Sequence, residues 1–133
     1  MGALQGRVAL VTGGSRGLGK AMAWALAEQG CTVVAAGHLA EDRFAFEQAA
    51  RSQGLSDRLD FFQVDLRSSS GCDALVAHAR QHSGHVDILV NNAGLTLTFV
   101  APDLYTRSTP RRFYESSDEV IRGIYETNAW HPK

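Results

Sequence analysis

The segment whose residue types and spacing most directly suggest chemistry is Thr12-Gly13-Gly14-Ser15-Arg16-Gly17-Leu18-Gly19. A phosphate can rest on the N–H groups that open a helix only if no side chain stands in front of them. Glycine at 13, 17 and 19 meets that condition when a strand ends before Gly13 and a helix opens near Gly17. A pyrophosphate dinucleotide is the ligand such a turn suits, with Ser15, Arg16 and Leu18 beside it, and Gly19 lets the helix pack closely on the strand. The same residues can also form a tight strand-to-helix turn that binds nothing. A Gly-Lys-Ser/Thr ending is lacking, so a triphosphate with magnesium is a poor candidate.

Two other groups of side chains invite a chemical reading. His78, His82 and His85 have spacings of four and three, which could gather imidazoles on one helix face around zinc or copper. Gly84 interrupts that helix and no cysteine or paired carboxylate completes a ligand set, so a solvated face is the better reading and no metal is expected. Arg107, Arg111 and Arg112, next to Phe113 and Tyr114, read either as an anion-binding patch or as a solvated loop.

These residues need elements to hold them. Arg7–Thr12 is a short apolar run of the kind a strand covered on both faces requires. Leu18, Ala21, Met22, Ala25 and Leu26 recur at helical spacing, which predicts a helix from about Gly17 to Gln29 that stops at Gly30. Cys31–Ala36 reads as a second strand. A second helix over Glu41–Gln53, with Phe44, Ala45 and Ala49 as its apolar side, stops at Gly54. Leu59–Val64 gives a third strand, Ser70–Gln81 a third helix carrying Leu75, Val76 and Ala79, and Val86–Val90 a fourth strand. Parallel neighbours cannot be joined by a hairpin, so this alternation predicts an α/β fold: a doubly wound parallel sheet with helices on both faces. From Gly94 to Glu115 periodicity is lost in a long loop. Ser116 and Glu119 then have the spacing of a capping box, opening a last helix on which Ile121, Ile124 and Asn128 share a face.

At 133 residues the chain has the length of one domain over 1–133. It is 44% hydrophobic and 20% charged with a net charge of -1, a balance that excludes a general attraction to nucleic acid or acidic membranes. Cys31 and Cys72 lack CxxC spacing and read as reduced structural thiols. The N-terminus has no signal-peptide pattern, no apolar run reaches the roughly 18 residues needed to span a bilayer, and Gly2 lacks a myristoylation context. A cytoplasmic protein is expected.

The glycine turn resembles the TGxxxGxG signature of short-chain dehydrogenase/reductases, and three further segments match that family in order. Val64-Asp65-Leu66, after the third strand, resembles the family's adenine-contacting Asp, with the backbone of Leu66 assisting. Asn91-Asn92-Ala93-Gly94, after the fourth strand, is similar to the family's NNAG motif, which supports the sheet and passes near the ribose. Asn128 in Glu126-Thr127-Asn128 resembles the helix Asn that shapes the active site and holds a proton-relay water. The resemblance runs from Gly6 to Asn128. It implies a Rossmann-like fold and an NAD(P)(H)-dependent oxidoreductase acting on a carbonyl or alcohol; taken singly, Asp65 could be a helix cap and Asn91 and Asn92 turn residues.

An acidic residue at the end of strand two would accept from a ribose 2′-hydroxyl and repel a 2′-phosphate. That region reads Ala35-Ala36-Gly37-His38. Arg16 resembles the basic residue of NADP-preferring members, and His38 stands where they often carry Arg. NADP(H) is therefore favoured, with NAD(H) as the alternative. The resemblance also assigns proton donation to a Tyr followed four positions on by Lys, with an upstream Ser. Here Tyr105, Tyr114 and Tyr125 are followed by Thr109, Asp118 and Ala129, and the lysines are Lys20 and Lys133. The expectation is thus a dinucleotide-binding half, truncated after about four strands and inactive alone, with strand four left as a sheet edge and marginal stability in isolation. The competing expectation is a non-catalytic dinucleotide-binding or interaction module, as a homo-oligomer or paired with a full-length relative.

Overall fold

A computed structural model describes residues 2–95, 103, 106–109 and 115–129 of the chain. Strand and helix alternate as β1 (Val8–Thr12), α1 (Gly17–Glu28), β2 (Thr32–Gly37), α2 (Asp42–Ser52), β3 (Leu59–Gln63), α3 (Ser69–Ser83) and β4 (Ile88–Val90), followed by α4 (Asp118–Asn128). The four strands form one sheet in the order β3-β2-β1-β4, and every pairing is parallel. The fold class read from the sequence is the one observed. β1, at the centre, is buried along its whole length, as a strand covered on both faces must be.

The two faces are covered unequally. On one, α1 and α2 place Ala23, Trp24, Ala27, Phe46 and Ala50 against Ala9, Val11, Val33, Ala35 and Phe61. Trp24 meets Phe46 edge-on at 5.0 Å and Phe46 meets Phe61 at 5.6 Å between ring centroids, the geometry that aromatic quadrupoles favour. On the other, α3 buries Leu75 and Ala79 against Leu10, Val34 and Ala36. That side thins out toward β4, where Leu89 is 57% exposed.

Several faces and boundaries differ from the expectations drawn from the sequence. α1 buries Gly19, Ala23, Trp24 and Ala27, whereas Leu18, Ala21 and Ala25 are exposed. Small residues four apart let the helix axis approach the sheet, and that outweighs the bulk of Leu18. α2 buries Phe46 and Ala50, a stripe rotated from Phe44 and Ala45, both of which are exposed. On α3, Val76 is exposed while Leu75 and Ala79 are buried. The last helix is capped by Ser117, whose side chain accepts from the Val120 N–H. Three residues after Ser117 stands Val120, so no reciprocal Glu bond closes the capping box expected from Ser116. On α4 Gly123 is buried, Ile124 is half-buried and Ile121 is exposed.

β4 begins two residues later than its apolar run suggests, because Asp87 takes over the pairing with side chain and backbone together. The Val8 N–H donates to the Asp87 carboxylate at 2.8 Å, and the Asp87 N–H donates to the Val8 carbonyl at 2.9 Å. Arg7 and His85 approach the same carboxylate at 3.1 and 3.0 Å. The Val8 N–H bond above all, then Arg7 and His85, holds the Asp87 carboxyl below its ordinary value of 3.8. A carboxyl depressed on folding stabilises the fold above its unfolded value, and that contribution is lost as pH falls through the folded value. Asp87→Asn is therefore expected to lower the urea midpoint at neutral pH and to flatten its further fall on acidification below about pH 4. Parallel urea titrations of both proteins at neutral and acid pH measure this; an equal acid loss in both would contradict it.

Candidate functional site

In a parallel sheet all strand C-termini lie on one edge, so the turns after β1, β2, β3 and β4 come together there. They surround a cavity of about 410 Å³, within the range of small-ligand sites. It opens where the strand order reverses, β1 having β2 on one side and β4 on the other, the place where open α/β sheets form a crevice. Every residue read from the sequence as cofactor-binding lines it: Gly13, Ser15, Arg16, Gly17, Leu18, Gly19, His38, Asp65, Leu66, Asn92, Ala93 and Gly94. Gly37, Asp42, Arg67 and Thr127 line it as well.

The glycines divide their roles: the close packing expected of Gly19 is observed, and Gly13 shares it instead of only clearing space for a ligand. A Cβ on Gly19 would overlap the Gly13 carbonyl oxygen, and one on Gly13 would come within 3.0 Å of Ala93 and Asn92. Those two positions admit close packing inside the protein. Gly17 alone of the three has open space where a Cβ would be, at a φ of 58°, a left-handed conformation that side-chain-bearing residues rarely adopt. It keeps the mouth of α1 clear. α1 has no side-chain cap and no acidic residue in its first turn, whereas α3 is capped by Ser68. The first residues of α1, Gly17, Leu18 and Gly19, line the cavity, and the N–H groups that open a helix have no acceptor within it and lie at the positive end of its dipole.

Thr12 ties this turn to the one after β4. Its hydroxyl donates to the Val90 carbonyl at 3.3 Å and accepts from the Asn92 and Ala93 N–H groups at 3.0 Å each. The Asn92 side-chain amide returns across the gap, donating to the Thr12 and Gly13 carbonyls at 3.2 Å. Asn92 thus holds the glycine turn in place as well as lining the cavity. Asn128 acts similarly one turn further on: its Oδ1 accepts from the Leu95 N–H at 2.6 Å and its Nδ2 donates to the Leu95 carbonyl at 3.0 Å. The helix residue read as catalytic therefore fastens α4 to the segment leaving Gly94.

Charges around the rim are paired. Arg16 donates from Nε and Nη2 to the two oxygens of Asp42 at 3.1 and 2.8 Å, and the bond to Asp42 holds its guanidinium still more firmly in the charged form. Ser15 donates to the same carboxylate at 3.1 Å. The sequence has no carboxylate at the end of β2; the fold brings one there from the first turn of α2. Across the cavity Arg67 donates to both oxygens of Asp65, at 3.0 to 3.1 Å from Nε and 2.7 Å from Nη2. These bonds hold the Asp65 carboxyl below the usual carboxylate range, with His38 adding a smaller pull. His38 is exposed at the rim.

The other candidates lie elsewhere. His78 pairs with Asp60 at 2.5 Å and stacks on Phe62 at 4.2 Å, and His85 pairs with Asp87. Among the described residues no three His, Cys, Asp or Glu are grouped to hold a metal ion. Burial first of all pushes both thiols, Cys31 and Cys72, up from their ordinary value. Arg107 approaches Asp103 at 3.5 Å; Arg111, Arg112, Phe113 and Tyr114 lie outside the described residues. No helix among the described residues is long and apolar enough to cross a membrane.

The sequence matches the family model described as short chain dehydrogenase over residues 7–130. It is 33% identical over 126 residues to acetoacetyl-CoA reductase of Paracoccus denitrificans, covering 95% of this chain and 47% of that protein. It is 34% identical over 120 residues to the NADP-dependent (R)-specific alcohol dehydrogenase of Lentilactobacillus kefiri, covering 90% and 46%. The structure of citronellol catabolism dehydrogenase from Pseudomonas aeruginosa PAO1 superposes with a TM-score of 0.73 at 27% identity, over 96% of this chain and 47% of that one. The chain spans about half or less of the length of the curated relatives it matches.

The Thr12 hydroxyl is the joint whose loss tests this geometry. Thr12→Val keeps the shape but leaves the Asn92 and Ala93 N–H groups and the Val90 carbonyl without their partner. A loss of about 1–3 kcal/mol is expected in urea unfolding. Stability within a few tenths of a kcal/mol of the parent, roughly the effect of a neutral surface change, would contradict it.

Proposed function

The chain belongs to the short-chain dehydrogenase family, whose members are oxidoreductases, and from that premise we propose that it is the dinucleotide-binding part of an NAD(P)(H)-dependent enzyme interconverting a carbonyl and an alcohol. The observation that carries this reading is the uncapped start of α1, cleared by Gly17 and opening into the cavity at the strand-order reversal. A pyrophosphate fits there: two negative charges meet N–H donors already held in place, with little reorganisation on binding. Asp65 and Leu66 flank the adenine end, Ala93 and Gly94 the ribose, and Asn128 positions the strand-to-loop segment that borders the nicotinamide end. When bound, the dinucleotide supplies or accepts the redox equivalents. The residues of this chain bind and orient it, and Asn128 has one amide hydrogen left to hold a water.

NADP(H) is the favoured cofactor. Arg16 and His38 at the rim supply cationic or polar donors for a 2′-phosphate, and one relative is named as NADP-dependent. The proton donor is proposed to come from a Tyr-x-x-x-Lys pair outside this chain, whose tyrosines are not followed at that spacing by lysine. The substrate is a small carbonyl or alcohol, the setting cytoplasmic. A second reading, a dinucleotide-binding module that pairs with another copy or a full-length relative, is favoured by the β4 edge, where Leu89 is exposed. Reading the gene beyond Lys133 separates the two: an in-frame Tyr, three residues and Lys supports the enzyme, and a stop supports the module.

Calorimetric titration of the folded chain with NADPH and, separately, NADH tests the binding reading. NADPH is expected to bind more tightly, and Arg16→Ala to weaken NADPH by about 10- to 100-fold while leaving NADH within a few-fold. Tighter NADH binding would overturn the cofactor choice, and heat from neither would overturn the binding role.

A further inference from the structure

Arg16 stands at the rim of the cavity, but its fork is already taken. Asp42 accepts from Nε and Nη2 in a parallel two-bond arrangement and from the Ser15 hydroxyl as well. The Asp42 side chain is 16% exposed and that of Arg16 61%, so the carboxylate is the anchored partner and the guanidinium the one that reaches toward solvent. Asp42 also lines the cavity beside Gly37 and His38. We infer that Asp42 lowers the preference of this groove for the phosphorylated cofactor, by holding Arg16 and opposing a second anion at the same fork. The inference deepens the dinucleotide reading above and rests on it.

A guanidinium has five N–H donors, of which the pair with Asp42 uses two. The remaining three can still reach a 2′-phosphate, but the cation that would attract it is matched by a carboxylate a few ångströms away. A ribose 2′-hydroxyl meets the reverse situation. A carboxylate offers about four lone-pair positions, three of them occupied here by Arg16 and Ser15, and the fourth can accept from the hydroxyl. Asp42 thus weakens selection for the phosphorylated cofactor and supports the unphosphorylated one. It performs from α2 the task usually looked for at the end of β2, where this chain has Gly37-His38.

The test uses 2′,5′-ADP and 5′-AMP, which differ only in the 2′-phosphate, titrated into the chain and into Asp42→Asn. Asparagine keeps the shape and one acceptor for Arg16 and removes the charge. The ratio of 2′,5′-ADP to 5′-AMP affinity is expected to rise about tenfold in Asp42→Asn, the scale of one unfavourable charge contact at a solvent-facing site. NADPH and NADH should shift in the same direction. A ratio that is unchanged or lower in the folded variant would overturn the inference. Should Asp42→Asn fail to fold, Asp42→Ser serves instead: it removes the same charge and is expected to raise the ratio in the same direction, and an unchanged ratio in that folded variant would overturn the inference. If the parent chain binds neither nucleotide, the dinucleotide reading fails and takes this inference with it. If it binds both and the ratio does not move, only the role of Asp42 fails.

Discussion

The Thr12 hydroxyl joins two turns that lie eighty residues apart in sequence. By accepting from Asn92 and Ala93 and donating to Val90, it fixes the end of β1 against the end of β4 at the point where the strand order reverses. Gly19 then places the start of α1, because it lies so close to the Gly13 carbonyl that no side chain fits between them. The direction in which the α1 N–H groups point is therefore set by packing inside the protein. A ligand finds those donors already oriented.

Around that joint the packing is graded. The face covered by α1 and α2 holds an aromatic chain from Trp24 through Phe46 to Phe61, and the glycine turn is built on that side. The face covered by α3 relies on Leu75 and Ala79 and leaves Leu89 and Val76 in contact with solvent. Apolar surface left in water forgoes roughly 25 cal/mol per Å², so this side is the one that gains most from a further covering element. The chain spans about half or less of its relatives' length.

What the sequence made legible was whatever depends on local chemistry. The apolar run from Val8 to Thr12 ending in glycine and the stops at Gly30, Gly54 and Gly84 could be read directly, because each states a backbone requirement within a few residues. The bonds of Asn92 to the Thr12 and Gly13 carbonyls join positions 80 and 79 residues apart and could not. Helix faces were less legible. Leu18 and Phe44 look like core residues by bulk and are both 74% exposed, since the sheet selected the small-residue stripe of α1 and the Phe46–Ala50 stripe of α2. Asp42 was missed for a different reason: it reaches the groove from the next helix, twenty-six residues beyond Arg16, and only the folded crossover brings the two together. Ser117 displaced Ser116 as the cap of α4 because the chain enters the helix one residue later than the Ser116–Glu119 spacing suggests.

The central claim is that the α1 donors meet a dinucleotide, and amide hydrogen exchange with and without NADPH reads those donors directly. The predicted result is slowed exchange on binding at Gly17, Leu18 and Gly19, with smaller slowing at Leu66 and Ala93, and little change at the opposite ends of the strands. Bound NADPH with unaltered exchange at Gly17 to Gly19 would contradict it.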